Sequence, residues 1–350
     1  MNDITIGNRH IGSGHPPFII AEMSGNHNQS LDRALELVQA AADAGAHAFK
    51  IQTYTPETMT LQSKQKDFMI SDANGLWTGK SLYELYQEAY TPWEWHEPIF
   101  AACRKRGMIP FSTPFDEISL EFLEKLGVDC YKIASFENID IPLLKKVAAK
   151  GKPMIISTGM ASLGEIEQAV EVITAAGCKE YVLLKCTSSY PASPENSNLN
   201  TIPYLRDVFQ CQVGLSDHTL GVGAAVASVA LGSTVIEKHF TMDRKEGGVD
   251  SAFSLEPEEF AALVRETDTA WKALGGVAIG PTKAEEKSLQ FRRSIYAAKD
   301  IKAGEVLTPE NIRVIRPGYG LAPKYYEMLL GKPMKRDLPM GTPLSWDLLL

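Results

Sequence analysis

Hydrophobic and polar positions along the chain follow two alternating periods. Short apolar or β-branched runs recur at 18–24 (FIIAEMS), 47–54 (HAFKIQTY), 108–114 (MIPFSTP) and 130–135 (CYKIAS). Four more follow at 153–159 (PMIISTG), 181–188 (YVLLKCTS), 212–219 (QVGLSDHT) and 234–241 (TVIEKHFT). Between them the apolar positions repeat at helical spacing, as in LDRALELVQAAADAG (31–45), which ends on a glycine. Strand then helix, eight times over, predicts parallel strands joined by right-handed crossovers. Eight such units in about 250 residues predict a closed (β/α)8 barrel, with a doubly wound open sheet as the alternative. The stretch GVGAAV (221–226) could pass for a dinucleotide-binding turn. It follows the seventh run, however, and no acidic residue ends a suitably placed next strand. Helix packing, or phosphate binding at a helix N-terminus, explains it better.

The two ends of the chain differ in texture from the middle. ITIGNRHIGSGHPP, near the N-terminus, predicts a hairpin that closes the barrel floor. After residue 280 a charged stretch, GPTKAEEKSLQFRRS, gives way to short β-type pieces punctuated by Pro and Gly. The expected organisation is a barrel domain over 1–280, a linker over 281–293 and a small, mostly β domain over 294–350. The last is too short to bury a generous core alone, so docking on another surface is expected.

Composition narrows the function classes. The 350 residues are 44% hydrophobic and 22% charged, an ordinary globular balance, with a net charge of −8 and no long basic run. A nucleic-acid partner is therefore not expected, whereas a small anion remains possible wherever lysines gather locally. Five scattered cysteines in no CxxC pair predict reduced, buried thiols and a cytoplasmic protein. No apolar run has the length of a membrane span, so no membrane partner is expected.

In a parallel barrel the chemistry sits where the strands end. Those ends carry Glu22; Lys50 and Gln52; Ser112 and Thr113; Lys132 and Ser135; Thr158; Thr187 and Ser188; Ser216 and His218; and Glu237 and His239. A lysine pointing into the barrel from Lys50 or Lys132 needs an anion, because an unpaired buried charge is heavily penalised. The alternative is that each lysine snorkels outward or pairs with a structural carboxylate. Side chains alternate along a strand, so Ser216 and His218 share one face, and Glu237 and His239 share the equivalent face of the next strand. Neighbouring strands lie about 4.8 Å apart, close enough for both imidazoles to reach one divalent metal with positions left open for water and substrate. His27 is a rival ligand, although Asn26–Ser30 also reads as a helix N-cap.

Taken in order, IAEMSGNHN, FKIQTYTP, PFSTPFD, YKIASFEN, ISTGMAS, CTSSYPA, GLSDHT, IEKHFT and IRPGYG resemble the sialic acid synthase family over essentially the whole chain. The tail resembles that family's SAF, or antifreeze-like, domain. AEMSGNHN, QTYTPETMTL and LYQEAYTPWEWH resemble the family's pseudaminic acid branch. Ser188 stands where N-acetylneuraminate synthases usually carry asparagine. The resemblance implies condensation of phosphoenolpyruvate with 2,4-diacetamido-2,4,6-trideoxy-L-altrose, with C–O cleavage; legionaminic and N-acetylneuraminic acid synthesis are the neighbouring activities, and a non-catalytic sugar-binding module is the contrasting class. It implies that Lys50, Gln52, Thr113, Lys132, Ser135, Ser188 and Ser216 bind phosphoenolpyruvate, and that Glu137, Tyr190 and Asp250 contact the sugar. His218 and His239 would hold a divalent metal (Mn²⁺, Mg²⁺ or Co²⁺), with Glu22 and Glu237 moving protons. A homodimer with exchanged tails would bring Arg316 into the neighbouring protomer's site.

Overall fold

The computed structural model describes residues 2–71 and 76–350. The chain divides into two compact units, Met1–Gly275 and Gly276–Leu350.

In the first unit β1 (Ile4–Ile6) and β2 (Arg9–Ile11) form an antiparallel hairpin. Eight parallel strands follow: β3 (Phe18–Glu22), β4 (Ala48–Thr53), β5 (Ile109–Pro114), β6 (Tyr131–Ile133), β7 (Met154–Ser157), β8 (Tyr181–Cys186), β9 (Gln212–Asp217) and β10 (Val235–His239). They close into a barrel in chain order, β10 pairing back onto β3 with Val235 opposite Phe18 and His239 opposite Glu22. Each predicted run becomes one strand, trimmed at its ends. Strands covered on both faces read as continuous apolar stretches, which is why β3 is buried at every residue. The crossover helices obey the other period. Leu31–Asp43 starts where the Ser30 hydroxyl accepts from the Arg33 amide, and it buries Ala34, Leu37, Val38 and Ala41 against the barrel. Burying a side chain such as Leu37 is worth about 2 kcal/mol.

Inside the barrel, chemistry changes with height. At the lower end Ile4, Ile6 and Ile11 of the hairpin pack with Phe18, Ile20, Phe111, Leu184 and Val235, so the floor is plugged by hydrocarbon. Gly214 is required there, since a Cβ would sit 2.1 Å from the Val235 carbonyl oxygen. At the upper end the inward positions turn polar. Asp217 and Lys238 alternate to the outer face instead, where Lys238 Nζ lies 2.6 Å from Asp217 Oδ2 and also bonds the Thr219 carbonyl. The carboxylate in GLSDHT is thus a strut beneath the helix layer, while its serine and histidine look inward.

The second unit is built on an antiparallel pair, β11 (Ser294–Ala297) and β12 (Ile312–Ile315). Isolated bridges extend it, such as Tyr296 with Pro343 and Ile301 with Leu338, around a core of Ile295, Ile301, Leu307, Ile312, Leu329, Met334, Leu338 and Leu344. Within the charged stretch preceding it, Glu286–Phe291 winds into 3-10 turns. Among the described residues no helix is long and apolar enough to cross a membrane.

Candidate active site

The strand ends enclose a cavity of about 400 Å³. Glu22, Lys50, Gln52, Thr113, Lys132, Ser135, Glu137, Tyr190, Ser216, His218, Glu237, His239 and Asp250 all line it. Ser188 stands one row back, its hydroxyl packed over Gly159, where a Cβ would meet that oxygen at 2.3 Å and Ser135 Oγ at 2.7 Å. Arg316 belongs to the second unit. Among the other strand-end residues, Ser112 bonds the Thr53 hydroxyl at 2.6 Å outside the cavity, and Thr158 Oγ1 donates to the Leu184 carbonyl.

The two lysines behave differently. Lys50 Nζ lies 2.7 Å from Glu22 Oε2 and 3.6 Å from Glu237 Oε1, so it bridges two buried carboxylates. Burial works against its charge, but those carboxylates more than offset this and raise its pKa. Lys132 has no such partner. Its ammonium donates to the Ile133 carbonyl at 2.8 Å and to Ser157 Oγ at 2.7 Å, and burial lowers its pKa. Of the two, only Lys132 faces the cavity as a cation bonded to neutral atoms alone.

The carboxylates are pushed apart in the same way. Burial, helped by Glu237, raises the Glu22 pKa despite Lys50, whereas Lys132 and Lys50 hold Glu237 down against its own burial. The two carboxyls are thus shifted in opposite directions, the arrangement that separates an acid from a base. Gln52 steadies Glu22, its Nε2 donating to Glu22 Oε1 and to Ser24 Oγ at 2.9 Å each. Glu137 is pushed up to about 7, chiefly by burial, and its Oε2 has no partner.

The imidazoles of His218 and His239 lie 5.3 Å apart between ring centres. His218 Nδ1 is 2.9 Å from the Thr187 carbonyl oxygen, so that nitrogen carries a hydrogen; burial works against a charge on this ring, but Cys186 and the Thr187 carbonyl raise its pKa. Burial, with the neighbouring cations, drives His239 well below the usual histidine range, and its buried Nδ1 has no hydrogen-bond partner. A neutral ring with an orphaned nitrogen suits a metal ligand. Among the described residues no three His, Cys, Asp or Glu side chains gather as a metal-holding group, so the protein's share would be these two rings. His27 is excluded from that role by its bonds: Nδ1 accepts from the Gln29 amide, and the ring stands edge-on to Trp95.

Several neighbours carry no strand-end signature. Ser24, in a left-handed conformation (φ 48°), donates to Asp250 Oδ2. Buried Asn26 donates to the Phe240 carbonyl and Ser254 Oγ and accepts from the Asp250 amide, stapling the loop after β3 to the loop after β10. Cys186 sits 3.9 Å from His218 Nδ1; its thiol comes down to about 7, although burial alone would raise it. The asparagine in SGNHN is the one of these with a sequence signal, being a polar residue just past a buried strand.

A closed barrel whose strand ends gather a buried lysine hydrogen-bonded only to neutral atoms, a buried carboxylate pair and two adjoining imidazoles defines an enzyme site for an anionic substrate. The chain belongs to the NeuB family, whose pattern matches residues 37–278, and residues 292–350 match the SAF domain. It is 46% identical over 331 residues to a pseudaminic acid synthase of Campylobacter jejuni, covering 94% of this chain and 95% of that one. The pseudaminic acid synthase of Helicobacter pylori is 42% identical, with 95% and 97% covered. Among solved structures, an N-acetylneuraminic acid synthetase from Leptospira borgpetersenii in complex with citrate superposes with a TM-score of 0.73 at 35% identity, covering 83% of this chain and 96% of that one.

Proposed function

We propose that the chain is a pseudaminic acid synthase: phosphoenolpyruvate, 2,4-diacetamido-2,4,6-trideoxy-L-altrose and water give pseudaminic acid and phosphate. Lys132 carries the reading, since a buried ammonium bonded only to neutral oxygens calls for an anion. The carboxylate and phosphate of phosphoenolpyruvate supply one, held also by Lys50, Gln52, Thr113, Ser135, Ser216 and, from the second row, Ser188. The enol carbon attacks the open sugar's aldehyde carbon, water adds at C2, and the C–O bond to phosphate breaks. Glu237, whose pKa the two lysines lower, takes the proton from the water, and Glu22, whose pKa burial raises, relays one to the forming hydroxyl. Tyr190, Glu137 and Asp250 hold the sugar. His218 and His239 would hold a divalent ion, Mn²⁺, Mg²⁺ or Co²⁺, which supplies Lewis acidity towards the aldehyde. With five buried free thiols, we place the reaction in the cytoplasm.

Phosphate release from phosphoenolpyruvate that depends on this sugar tests the reaction. Bridging ¹⁸O in phosphoenolpyruvate should leave entirely in the phosphate. Label recovered in the nine-carbon product would refute this mechanism, and turnover only with a neighbouring hexose would reassign the branch.

The SAF domain belongs to the same proposal, in a homodimer where each tail carries Arg316 to the partner's site. Co-expressed His239→Ala and Arg316→Ala chains, each inactive alone, should then recover about a quarter of wild-type activity. Half the dimers are mixed, and half of their sites carry neither defect. No recovery, with mixed dimers confirmed by mass, would sink the exchanged tail.

A further inference from the structure

The cavity has a second wall that the reaction above leaves unused. Its strand-end side is polar, but it is also lined by the apolar residues Leu82, Leu85 and Ala89 with Tyr86, Trp77 and Val249. Leu82, Leu85, Tyr86 and Ala89 occupy i, i+3, i+4 and i+7 of the helix Leu82–Ala89. That spacing is a complete apolar stripe, the face a helix ordinarily turns to a hydrophobic core. Here it is turned to the cavity, and Leu82 stays only half-buried. Leu85 and Ala89 are already buried, so the apolar surface still open to the cavity lies at Leu82 and Tyr86, and it is unfavourable until something apolar covers it.

The stripe is also held in place. Ser81 and Glu84 form a reciprocal cap at the helix start, and the Ile70 amide donates to the Lys80 carbonyl at 2.9 Å. Trp77 Nε1 donates to the Val249 carbonyl at 3.0 Å, tying this segment to the loop that carries Asp250. The indole's one polar atom is thereby engaged. Leu82, Leu85, Ala89 and Val249 have no polar side-chain atom at all, so a hydroxyl pressed against these four would lose its water partners without replacement; Tyr86 brings the stripe's one phenol.

We infer that the Leu82–Ala89 stripe, with Trp77 and Val249, selects the sugar by covering methyl groups at the end remote from the aldehyde. The inference rests on the proposed reaction, which sets the aldehyde over the two imidazoles. The remote end of the hexose then meets the apolar wall. A 6-deoxy sugar with a second acetamido group presents two methyls there, at C6 and on the C4 substituent. A 2-acetamido hexose with free 4- and 6-hydroxyls presents none. The wall therefore favours the first sugar twice, by covering hydrocarbon and by stranding hydroxyls.

The test compares those two sugars at saturating phosphoenolpyruvate in the full-length wild type and in Leu82→Ser and Leu82→Met, by phosphate release. The wild type should prefer the diacetamido-trideoxy sugar in kcat/KM by about a hundredfold or more. Leu82→Ser should cut that ratio at least about tenfold, through a higher KM for the sugar, with the KM for phosphoenolpyruvate unchanged. Leu82→Met, which keeps the hydrocarbon, should retain the preference. If Leu82→Ser melts early, Val249→Thr keeps the shape, adds one hydroxyl and should lower the ratio likewise. A preference that Leu82→Ser and Val249→Thr leave alone, or that falls in step with weaker phosphoenolpyruvate binding, overturns the inference while the reaction stands. No turnover of either sugar by the wild type overturns the reaction, and this inference with it.

Discussion

His239→Ala should lower turnover at least about a thousandfold while the protein melts within a few degrees of wild type. The ring is buried, its pKa is driven well down, and its Nδ1 makes no hydrogen bond, with Asp250 Oδ2 3.9 Å away, so truncation breaks no structural hydrogen bond. A Lewis acid at a carbonyl contributes several kcal/mol to the transition state, and each 1.36 kcal/mol is tenfold in rate. Chelation with EDTA should give the same loss in the wild type, reversed by Mn²⁺, Mg²⁺ or Co²⁺. Full activity in EDTA, or in His239→Ala, would end the assignment of the two imidazoles. A truncation that simply unfolds the protein would show in the melting curve.

Lys132→Met should be less damaging, with a different signature. A charged hydrogen bond to an anion is worth about 1.5–3 kcal/mol, so kcat/KM for phosphoenolpyruvate should fall by roughly ten- to a hundredfold. Stability should hold or rise, since the substitution removes a buried charge bonded only to a carbonyl and a hydroxyl. Lys50→Met should also cost at least about tenfold, yet with a loss of stability, because it leaves Glu22 and Glu237 buried without their shared cation. Impaired turnover in both, with stability kept or raised in Lys132→Met and lowered in Lys50→Met, is the expected pattern. Unchanged kinetics in Lys132→Met would show that its ammonium meets no substrate.

The barrel and most of its site were legible because both follow from one period. Each buried strand announces itself as an apolar run, and the polar residue that interrupts the run near its end has to face either the cavity or a partner. Which of these holds is decided by register, which a single sequence does not print. Lys50 and Lys132 occupy equivalent places in their runs. Only the pairing of Lys50 opposite Glu22 on β3, and the closure of β10 onto β3, make one a bridge between carboxylates and leave the other open. Asp217 and Lys238 show the same limit from the other side, as charges in the middle of the site motifs that turn out to serve the helix layer. The stripe at 82, 85, 86 and 89 was visible as helical periodicity, but periodicity cannot say whether a stripe meets a core or a cavity. Ser24 and Cys186 gave no signal, since their roles arise from contacts between segments far apart in the chain.

The pairing of His239 with Glu22 has a consequence for how this protein is made. The first and last barrel strands meet in the middle of the site, so Glu22 leaves the ribosome long before the residues it works beside. A nascent chain that stops between β6 and β10 carries both lysines and Glu22 but neither Glu237 nor His239. Synthesis therefore passes through no half-competent stage, and a chain broken off before β10 has an open sheet edge in place of a reaction centre. The pairing of β10 with β3 spans the longest sequence separation in the barrel, and contacts of that kind are the slowest to form. Catalysis in this protein doubles as a certificate that the whole ring has closed.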